Sequence, residues 1–317
     1  MVNTTKPLYP FQNSSDKFRK SAGILFLLVL LTGGLFYYHS HKSLFLELFS
    51  IRVADLLFLV LLNLVMRLLV GFRLKLLTNP FGVDLKISEA TELAMIQAYG
   101  NLVAVKGGTL GIAYYLYRKK DFTIEKFLAI TGIGFLITAM VASFAGLVTA
   151  LVATFYVRIG RIVVLAFAII MISTIIVFVV PRFRFLRSGR GFVSRTLEAW
   201  FVLKSKKKIL VMLIVVEFAV LLSFALRYFV AFRGFNQSIL LFQAFLLAPP
   251  AYLSLMVNFT PAGMGIREPL VAYMSAILGY HLQGALGGAA LDSAVMAIVS
   301  LITGPLSGFF LSQKGAK

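Results

Sequence analysis

Several apolar runs with few or no charged residues are long enough to cross a bilayer as helices, and no other feature of this chain restricts the fold as strongly. A spanning helix needs about 20 mostly apolar residues. Such runs cover residues 21–38, 52–73, 127–157, 162–180, 209–230 and 283–311. Hydrophobic residues make up 60% of the chain, against ~45–50% in soluble domains. We therefore expect an all-α polytopic membrane protein, with residues 1–317 forming a single transmembrane domain.

Two further apolar stretches are interrupted by glycine or proline. The stretch 87–117 breaks at a tip formed by Lys106, Gly107, Gly108 and Gly111. The stretch 234–266 is expected to break at Pro249–Pro250 and again at Pro261, because proline removes a backbone donor and clashes with the preceding turn. Each stretch predicts a hairpin, and the second continues into a short helix over residues 269–279.

A motif with two arginines occurs once in each half of the chain. The sequence RLLVGFR runs from Arg67 to Arg73, and RYFVAFR runs from Arg227 to Arg233. An arginine in the bilayer is costly, so a duplicated one indicates a duplicated role. We interpret residues 51–151 and 209–311 as two diverged half-repeats.

The distribution of lysine and arginine predicts the orientation of the chain. Residues 182–208 contain nine Lys and Arg and a single acid, Glu198, so 181–208 is predicted to be a basic, amphipathic cytoplasmic loop. Basic residues also place both termini, and both ends of 87–117, on the cytoplasmic side. The stretch 87–117 would then be a re-entrant hairpin. This topology gives about seven full crossings, two re-entrant hairpins and an inverted internal repeat, in a cell's inner (cytoplasmic) membrane.

The charged residues inside apolar runs are the candidate functional groups. Arg67 and Arg227 lie deep in their apolar runs. Each of them either binds a ligand or forms a structural ion pair, and the sequence leaves both interpretations open. Arg73 and Arg233 lie at helix ends and are expected to be interface anchors. The carboxylates Glu217, Glu268 and Asp292 are candidate ion-pair partners or proton carriers, and Glu217 is a candidate partner for Arg67 or Arg227.

The most distinctive local motif is NFTPAGMGIRE at residues 258–268. Pro261, Gly263 and Gly265 predict an unwound tip, whose free amides and following helix N-terminus favour an anion. Arg267 adds a planar guanidinium suited to phosphate oxygens. Glu268 is predicted to pair with Arg267, cap the helix or carry a proton. The alternative is a purely structural helix break held by an arginine–carboxylate pair.

The segment PAGMGIRE at residues 261–268 resembles the G-x-G-x-R-E signature of the lysylphosphatidylglycerol synthase transmembrane, or flippase-like, family. Residues 107–120 stand where that family has P-G-x-x-G-E-x-x-R, with Ile112 and Tyr115 replacing its glutamate and arginine. The resemblance implies a lipid-translocating membrane domain, fused in some members to a soluble aminoacyl-transferase domain. The chain ends at Lys317 without such a domain, so we expect that it is not a synthase by itself.

These patterns predict flippase-like translocation of an anionic lipid, either a phospholipid or a polyprenyl-phosphate carrier. The phosphate would be held by Arg267, Gly263 and Gly265, with Arg67 and Arg227 supplying attraction from each half. The alternatives are a non-transporting scaffold for a glycosyl- or aminoacyl-transferase and, less favoured, an intramembrane enzyme acting on a lipid headgroup. We expect no catalytic residue, metal site or cofactor, because three isolated histidines and no cysteine offer no catalytic pair. The expected partners are membrane lipids and, in the scaffold alternative, a transferase. We expect no nucleic-acid partner, because the membrane topology explains the net charge of +19.

Overall fold

The computed structural model describes residues 51–156, 161–179, 200–257 and 260–314, and none of these residues is in a β-strand. The predicted helix 21–38 and residues 181–199 of the basic loop lie outside these ranges. The principal helices are α1 (Val53–Thr78), α2 (Ile87–Val103), α3 (Gly107–Lys120), α4 (Ile124–Ala153), α5 (Arg161–Val179), α6 (Lys207–Arg233), α7 (Leu241–Val257), α8 (Arg267–Ile277) and α9 (Leu282–Lys314).

Four of these helices, α1, α4, α6 and α9, are long and apolar enough to cross a membrane. The helices α5 and α7 are apolar but shorter. Large apolar side chains point outward from the long helices, as Phe144, Val215 and Ile298 do, which suits a surface in contact with lipid. The expectation of an all-α membrane protein with several spans is confirmed.

Each half of the described chain has the same order of elements. A long helix is followed by two shorter helices that form a hairpin and then by a second long helix, giving α1, α2–α3, α4 and then α6, α7–α8, α9. The packing is reciprocal, since α2 of the first hairpin packs against α9 and α7 of the second packs against α4. The helices α1 and α6, which carry the repeated arginine motif, pack against each other.

The first hairpin turns at the glycines that the sequence marked. Helix α2 ends at Val103, Lys106 adopts a left-handed conformation (φ 57°), and α3 begins at Gly107. A Cβ atom on Gly108 would lie 1.9 Å from the carbonyl oxygen of Gln97, so the two helices approach too closely for any side chain there. The predicted break at this tip is confirmed.

Helix α2 is held between α1 and α9 by close contacts between backbones. A Cβ atom on Gly71 of α1 would lie 2.7 Å from the Thr91 Cα, and one on Gly304 of α9 would lie 2.2 Å from the Tyr99 Cβ. Small residues permit this approach, which is the usual way that helices associate inside a bilayer. The first hairpin is therefore fixed mainly by contacts along α2.

The second hairpin differs from the sequence expectation at one point. Helix α7 continues through Pro249 and Pro250, so the predicted break at these prolines is wrong. Both prolines are buried, and in a membrane helix the packing of neighbouring helices tolerates proline. The chain does break at Pro261, where a short 3₁₀ turn, Pro261–Gly263, precedes α8.

Candidate functional site

Three arginines from different parts of the chain meet at one face of α9. Arg67 comes from the middle of α1, Arg227 from α6 and Arg267 from the first position of α8. All three are buried, with exposed fractions of 8%, 0% and 1% respectively. They contact a set of α9 side chains that share one face of that helix, namely Asp292, Ser293, Met296 and Ser300. We call these seven residues the arginine cluster.

Arg227 forms the strongest ion pair of the cluster. Its Nε and Nη2 atoms donate to the two carboxylate oxygens of Asp292 at 2.6 and 2.7 Å. Both side chains are fully buried. This bidentate geometry gives the strongest type of charge-assisted hydrogen bond, and each partner compensates the desolvation of the other. Asp292, rather than Glu217, is therefore the partner of Arg227.

Arg267 also lies against α9, although its ion pairs are longer. Its Nη2 atom donates to the hydroxyl of Ser293, and it lies 3.5 Å from the Asp292 carboxylate and 3.8 Å from that of Glu268. Asp292 is thus shared between two arginines. The predicted Arg267–Glu268 pair exists only as a long contact.

Glu268 mainly holds the tip of the second hairpin. Its Oε2 atom accepts a hydrogen bond from the amide of Gly265 at 2.6 Å, and its Oε1 atom accepts one from the Ser293 hydroxyl. Gly263 and Gly265 have φ values of 73° and 81°, which explains why glycine occupies these positions. The Gly263 amide donates to the Thr260 carbonyl. Both tip amides that we expected to face an anion are therefore engaged within the protein.

Arg67 differs from the other two arginines because it has no carboxylate partner among the described residues. Its Nη2 atom donates to the Ser300 hydroxyl at 3.1 Å, and its Nε atom is buried without a hydrogen-bond partner. The positive charges of Arg227 and Arg267 lie close enough to repel it. A buried guanidinium in this setting lacks compensation for its lost hydration.

Among the described residues, the cluster is short of both negative charge and oxygen acceptors. Its three guanidinium groups face two carboxylates, that of Asp292 and that of Glu268 beside the cluster. Two of the guanidinium donors point at sulfur, because Nη1 of Arg227 lies 3.1 Å from the Met66 thioether and Nη1 of Arg267 lies 3.6 Å from that of Met296. A thioether is only a weak acceptor. Within the described ranges, the cluster and Glu268 therefore have one more positive than negative charge, two donors that face only weak acceptors, and one donor, Nε of Arg67, without an acceptor.

A second polar network surrounds Arg73, which corrects our interpretation of that residue. Its Nη1 atom donates to Glu217 at 2.8 Å, to the Tyr252 hydroxyl at 3.2 Å and to the Thr138 hydroxyl at 3.4 Å. The Tyr252 hydroxyl donates in turn to the other Glu217 oxygen at 2.5 Å. Arg73 is thus an internal residue and not an interface anchor, and Glu217 pairs with neither Arg67 nor Arg227.

Arg233, at the position in α6 that matches Arg73, does behave as an end anchor. It is exposed and lies over the ring of Phe229, with 5.3 Å between the guanidinium carbon and the ring centre. The two halves therefore use their second arginine differently.

The predicted tip of the first hairpin is separate from the arginine cluster. The side chain of Asn101 caps the start of α3 by accepting hydrogen bonds from the amides of Gly108 and Thr109 at 3.0 and 3.3 Å. Lys106 is exposed, and Gly111 faces open space. None of the contacts of these residues involves Arg67, Arg227 or Arg267. Among the described residues, no group of three or more histidines and acids is placed to hold a metal ion.

Sequence reasoning missed the polar and thioether residues that complete the cluster. Ser293, Met296 and Ser300 were not identified, although the spacing of Asp292, Met296 and Ser300 places all three on one helical face. That four-residue spacing from a carboxylate in an apolar run is the signal that would have indicated them.

Comparison with known proteins agrees with these features. The family model described as "Lysylphosphatidylglycerol synthase TM region" matches residues 20–304, which is most of the chain. No curated protein matches the sequence.

Proposed function

Because the chain belongs to the lysylphosphatidylglycerol synthase TM family, we propose that it translocates an anionic lipid across the membrane. The family and the helical membrane architecture support a role connected with membrane lipids. The observation that carries the proposal is the arginine cluster, where three buried guanidinium groups face two carboxylates. An arginine at mid-membrane costs about 2.5–3.5 kcal/mol on insertion scales, and a lipid phosphate would offset that cost.

In the proposed mechanism the lipid phosphate passes the arginine cluster while its acyl chains remain in the bilayer. Arg67 attracts the phosphate first, because its Nε atom has no protein partner. The Nη1 atoms of Arg227 and Arg267, which face thioethers, then donate hydrogen bonds to phosphate oxygens instead of to sulfur. Asp292 and Glu268 keep the remaining charge balanced, so the cluster binds the anion without holding it permanently.

The arrangement of the two halves supports an inverted repeat with alternating access. The shared order of elements and the reciprocal packing of α2 on α9 and of α7 on α4 are what two such repeats would produce. In this proposal the half-repeats are 51–151 and 209–311, and their hairpins are re-entrant from opposite sides. About seven helices would cross the membrane fully, with both termini and the loop 181–208 in the cytoplasm. The protein performs no chemical step on the lipid.

A reconstitution assay tests this function. Purified protein in liposomes should accelerate transbilayer movement of a fluorescent anionic phospholipid without ATP, measured by chemical quenching of the outer leaflet. Arg267→Lys should reduce the rate strongly, because lysine lacks the planar fork that matches phosphate. Arg233→Gln is the matched control, since Arg233 lies exposed at the end of α6.

The outcome separates the flippase from the scaffold alternative. A protein-free rate for every anionic lipid tested, together with stoichiometric copurification of a transferase, would favour the scaffold. Full activity of both Arg267→Lys and Arg267→Ala would exclude Arg267 as a phosphate ligand.

A further inference from the structure

A second candidate site lies beside the first hairpin, away from the arginine cluster. Helices α1, α3 and α4, with Gln97 of α2, line a small open cleft with a cavity volume of about 90 Å³. This volume is below the roughly 300–1,000 Å³ of sites that enclose a whole small molecule, so the cleft suits a small headgroup whose remainder lies outside it. The cleft lies between elements that touch little, because α3 and α4 make few contacts with each other.

The chemistry of the cleft walls is amphipathic. The polar lining groups are Arg73, Gln97, Thr109 and Thr131, and Arg73 is the only charged one. The apolar wall includes Phe127 and Phe135, and Phe135 is 42% exposed. A molecule with a polar head and an apolar chain fits such a lining better than a free ion does.

Arg73 lines this cleft and has hydrogen-bonding capacity that the described residues do not use. All of its hydrogen bonds within the described part of the chain use Nη1, which leaves Nε and Nη2 without a protein acceptor. These two atoms form the edge of the guanidinium that binds an oxyanion through two parallel hydrogen bonds. The side chain remains 22% exposed, whereas its partner Glu217 is 1% exposed. The geometry leaves room for a second oxyanion at Arg73 without breaking the ion pair.

The cleft and the arginine cluster are distinct sites on the same helix. Arg73 follows Arg67 by six positions in α1, which corresponds to an axial rise of about 9 Å and a different helical face. Arg67 lies among Arg227, Arg267 and Ser300, whereas Arg73 contacts Glu217, Tyr252 and Thr138.

We propose that this cleft binds the oxyanion headgroup of an amphiphile, with the Nε and Nη2 atoms of Arg73 holding the oxyanion. Gln97 and Thr109, which share a hydrogen bond of 3.3 Å, supply further polar contacts. The apolar chain lies along Phe127 and leaves past Phe135. This proposal concerns equilibrium binding, so it holds or fails independently of lipid translocation.

A pair of glycine substitutions on α4 tests the site. Gly134 lines the cleft, and a Cβ atom there would lie 3.5 Å from a Leu77 methyl group, so Gly134→Leu places bulk in the cleft and leaves the charge of Arg73 in place. Gly132 lies two positions earlier on the same helix and faces open space, which makes Gly132→Leu the matched control. A second test variant, Arg73→Met with Glu217→Gln, removes both charges of the ion pair together.

Binding is measured by native mass spectrometry of the full chain in detergent, titrated separately with phosphatidylglycerol, diacylglycerol and inorganic phosphate. We expect phosphatidylglycerol to bind the wild type and Gly132→Leu equally. In Gly134→Leu and in the double variant, the affinity of the cleft should be at least about tenfold weaker, which corresponds to loss of one charge-assisted bond. A lipid held at the arginine cluster is retained in both variants and is counted separately by its stoichiometry.

Three results would overturn the proposal. Equal binding of phosphatidylglycerol by the wild type and Gly134→Leu would place the lipid elsewhere. Diacylglycerol binding as tight as phosphatidylglycerol would show an apolar cleft with no headgroup recognition. Inorganic phosphate that binds as tightly as the lipid, and is lost in Gly134→Leu, would make this a site for a free anion. If Gly134→Leu does not fold, the double variant decides.

Discussion

Replacing Arg67 by methionine should leave the folded protein about as stable as the wild type, or more stable, while abolishing lipid translocation. Arg67 has no carboxylate partner among the described residues, and its one hydrogen bond is to Ser300. Removing the charge relieves a cost of roughly 2.5–3.5 kcal/mol. Losing a hydrogen bond to a charged group costs roughly 1.5–3 kcal/mol. The net change therefore runs from about 0.5 kcal/mol of destabilisation to about 2 kcal/mol of stabilisation.

The same substitution at the matching position of the second half should have the opposite effect. Arg227→Met leaves Asp292 buried without its bidentate partner, and breaking a buried pair in this way costs about 3–5 kcal/mol. The two variants should therefore differ by at least about 2.5 kcal/mol. At roughly 2–4 °C per kcal/mol, their unfolding midpoints should be at least about 5 °C apart.

Thermal unfolding in detergent, monitored by circular dichroism, measures the difference in unfolding midpoint. The liposome assay measures translocation on the same samples. Arg233→Met serves as the control, because an exposed arginine at a helix end should change stability by less than about 0.5 kcal/mol. If Arg67→Met lowers the midpoint as much as Arg227→Met does, Arg67 is internally compensated and the argument for a supplied anion fails.

Two further predictions concern topology and the first hairpin. The chain has no cysteine of its own, so single cysteines can be introduced at Thr123 and Gln237. An impermeant reagent should label position 123 from the cytoplasmic side and position 237 from the outer side. Labelling of both positions from one side would contradict the inverted repeat. Gly108→Ala should lower the stability by at least about 1–3 kcal/mol, because its Cβ atom would overlap the Gln97 carbonyl. Gly111 faces open space, so Gly111→Ala should be neutral or slightly stabilising. Thermal unfolding measures both effects. Equal midpoints for the two alanine variants would contradict the close packing.

The sequence was sufficient for features that depend on one segment at a time. The length of the apolar runs predicted the long helices, and the glycines after Lys106 predicted the first turn, because both depend on local chain geometry. The continuity of α7 through Pro249 and Pro250 was not predictable in this way. It depends on neighbouring helices that make the distorted backbone tolerable.

The partners in the polar networks could not be predicted, because they depend on how separate helices rotate against one another. Glu217 lies closer in sequence to Arg227 than to Arg73, yet it pairs with Arg73. It can do so because α1, which contains Arg73, packs against α6, which contains Glu217. Asp292 reaches Arg227 because α9 packs against α6. Arg67, Arg227 and Arg267 were identified from the sequence as candidate residues, but α9 was not identified as the helix that brings them together.

The close packing of α2 has a consequence for how the protein responds to its solvent. At Gly71 and Gly304 the contacts join backbone or Cβ atoms directly, so dispersion forces supply the attraction there. Dispersion between fixed atoms does not depend on whether lipid or detergent surrounds the helices. The first hairpin should therefore keep its position when the protein is extracted, whereas any helix held mainly through long side chains can adjust when detergent replaces lipid.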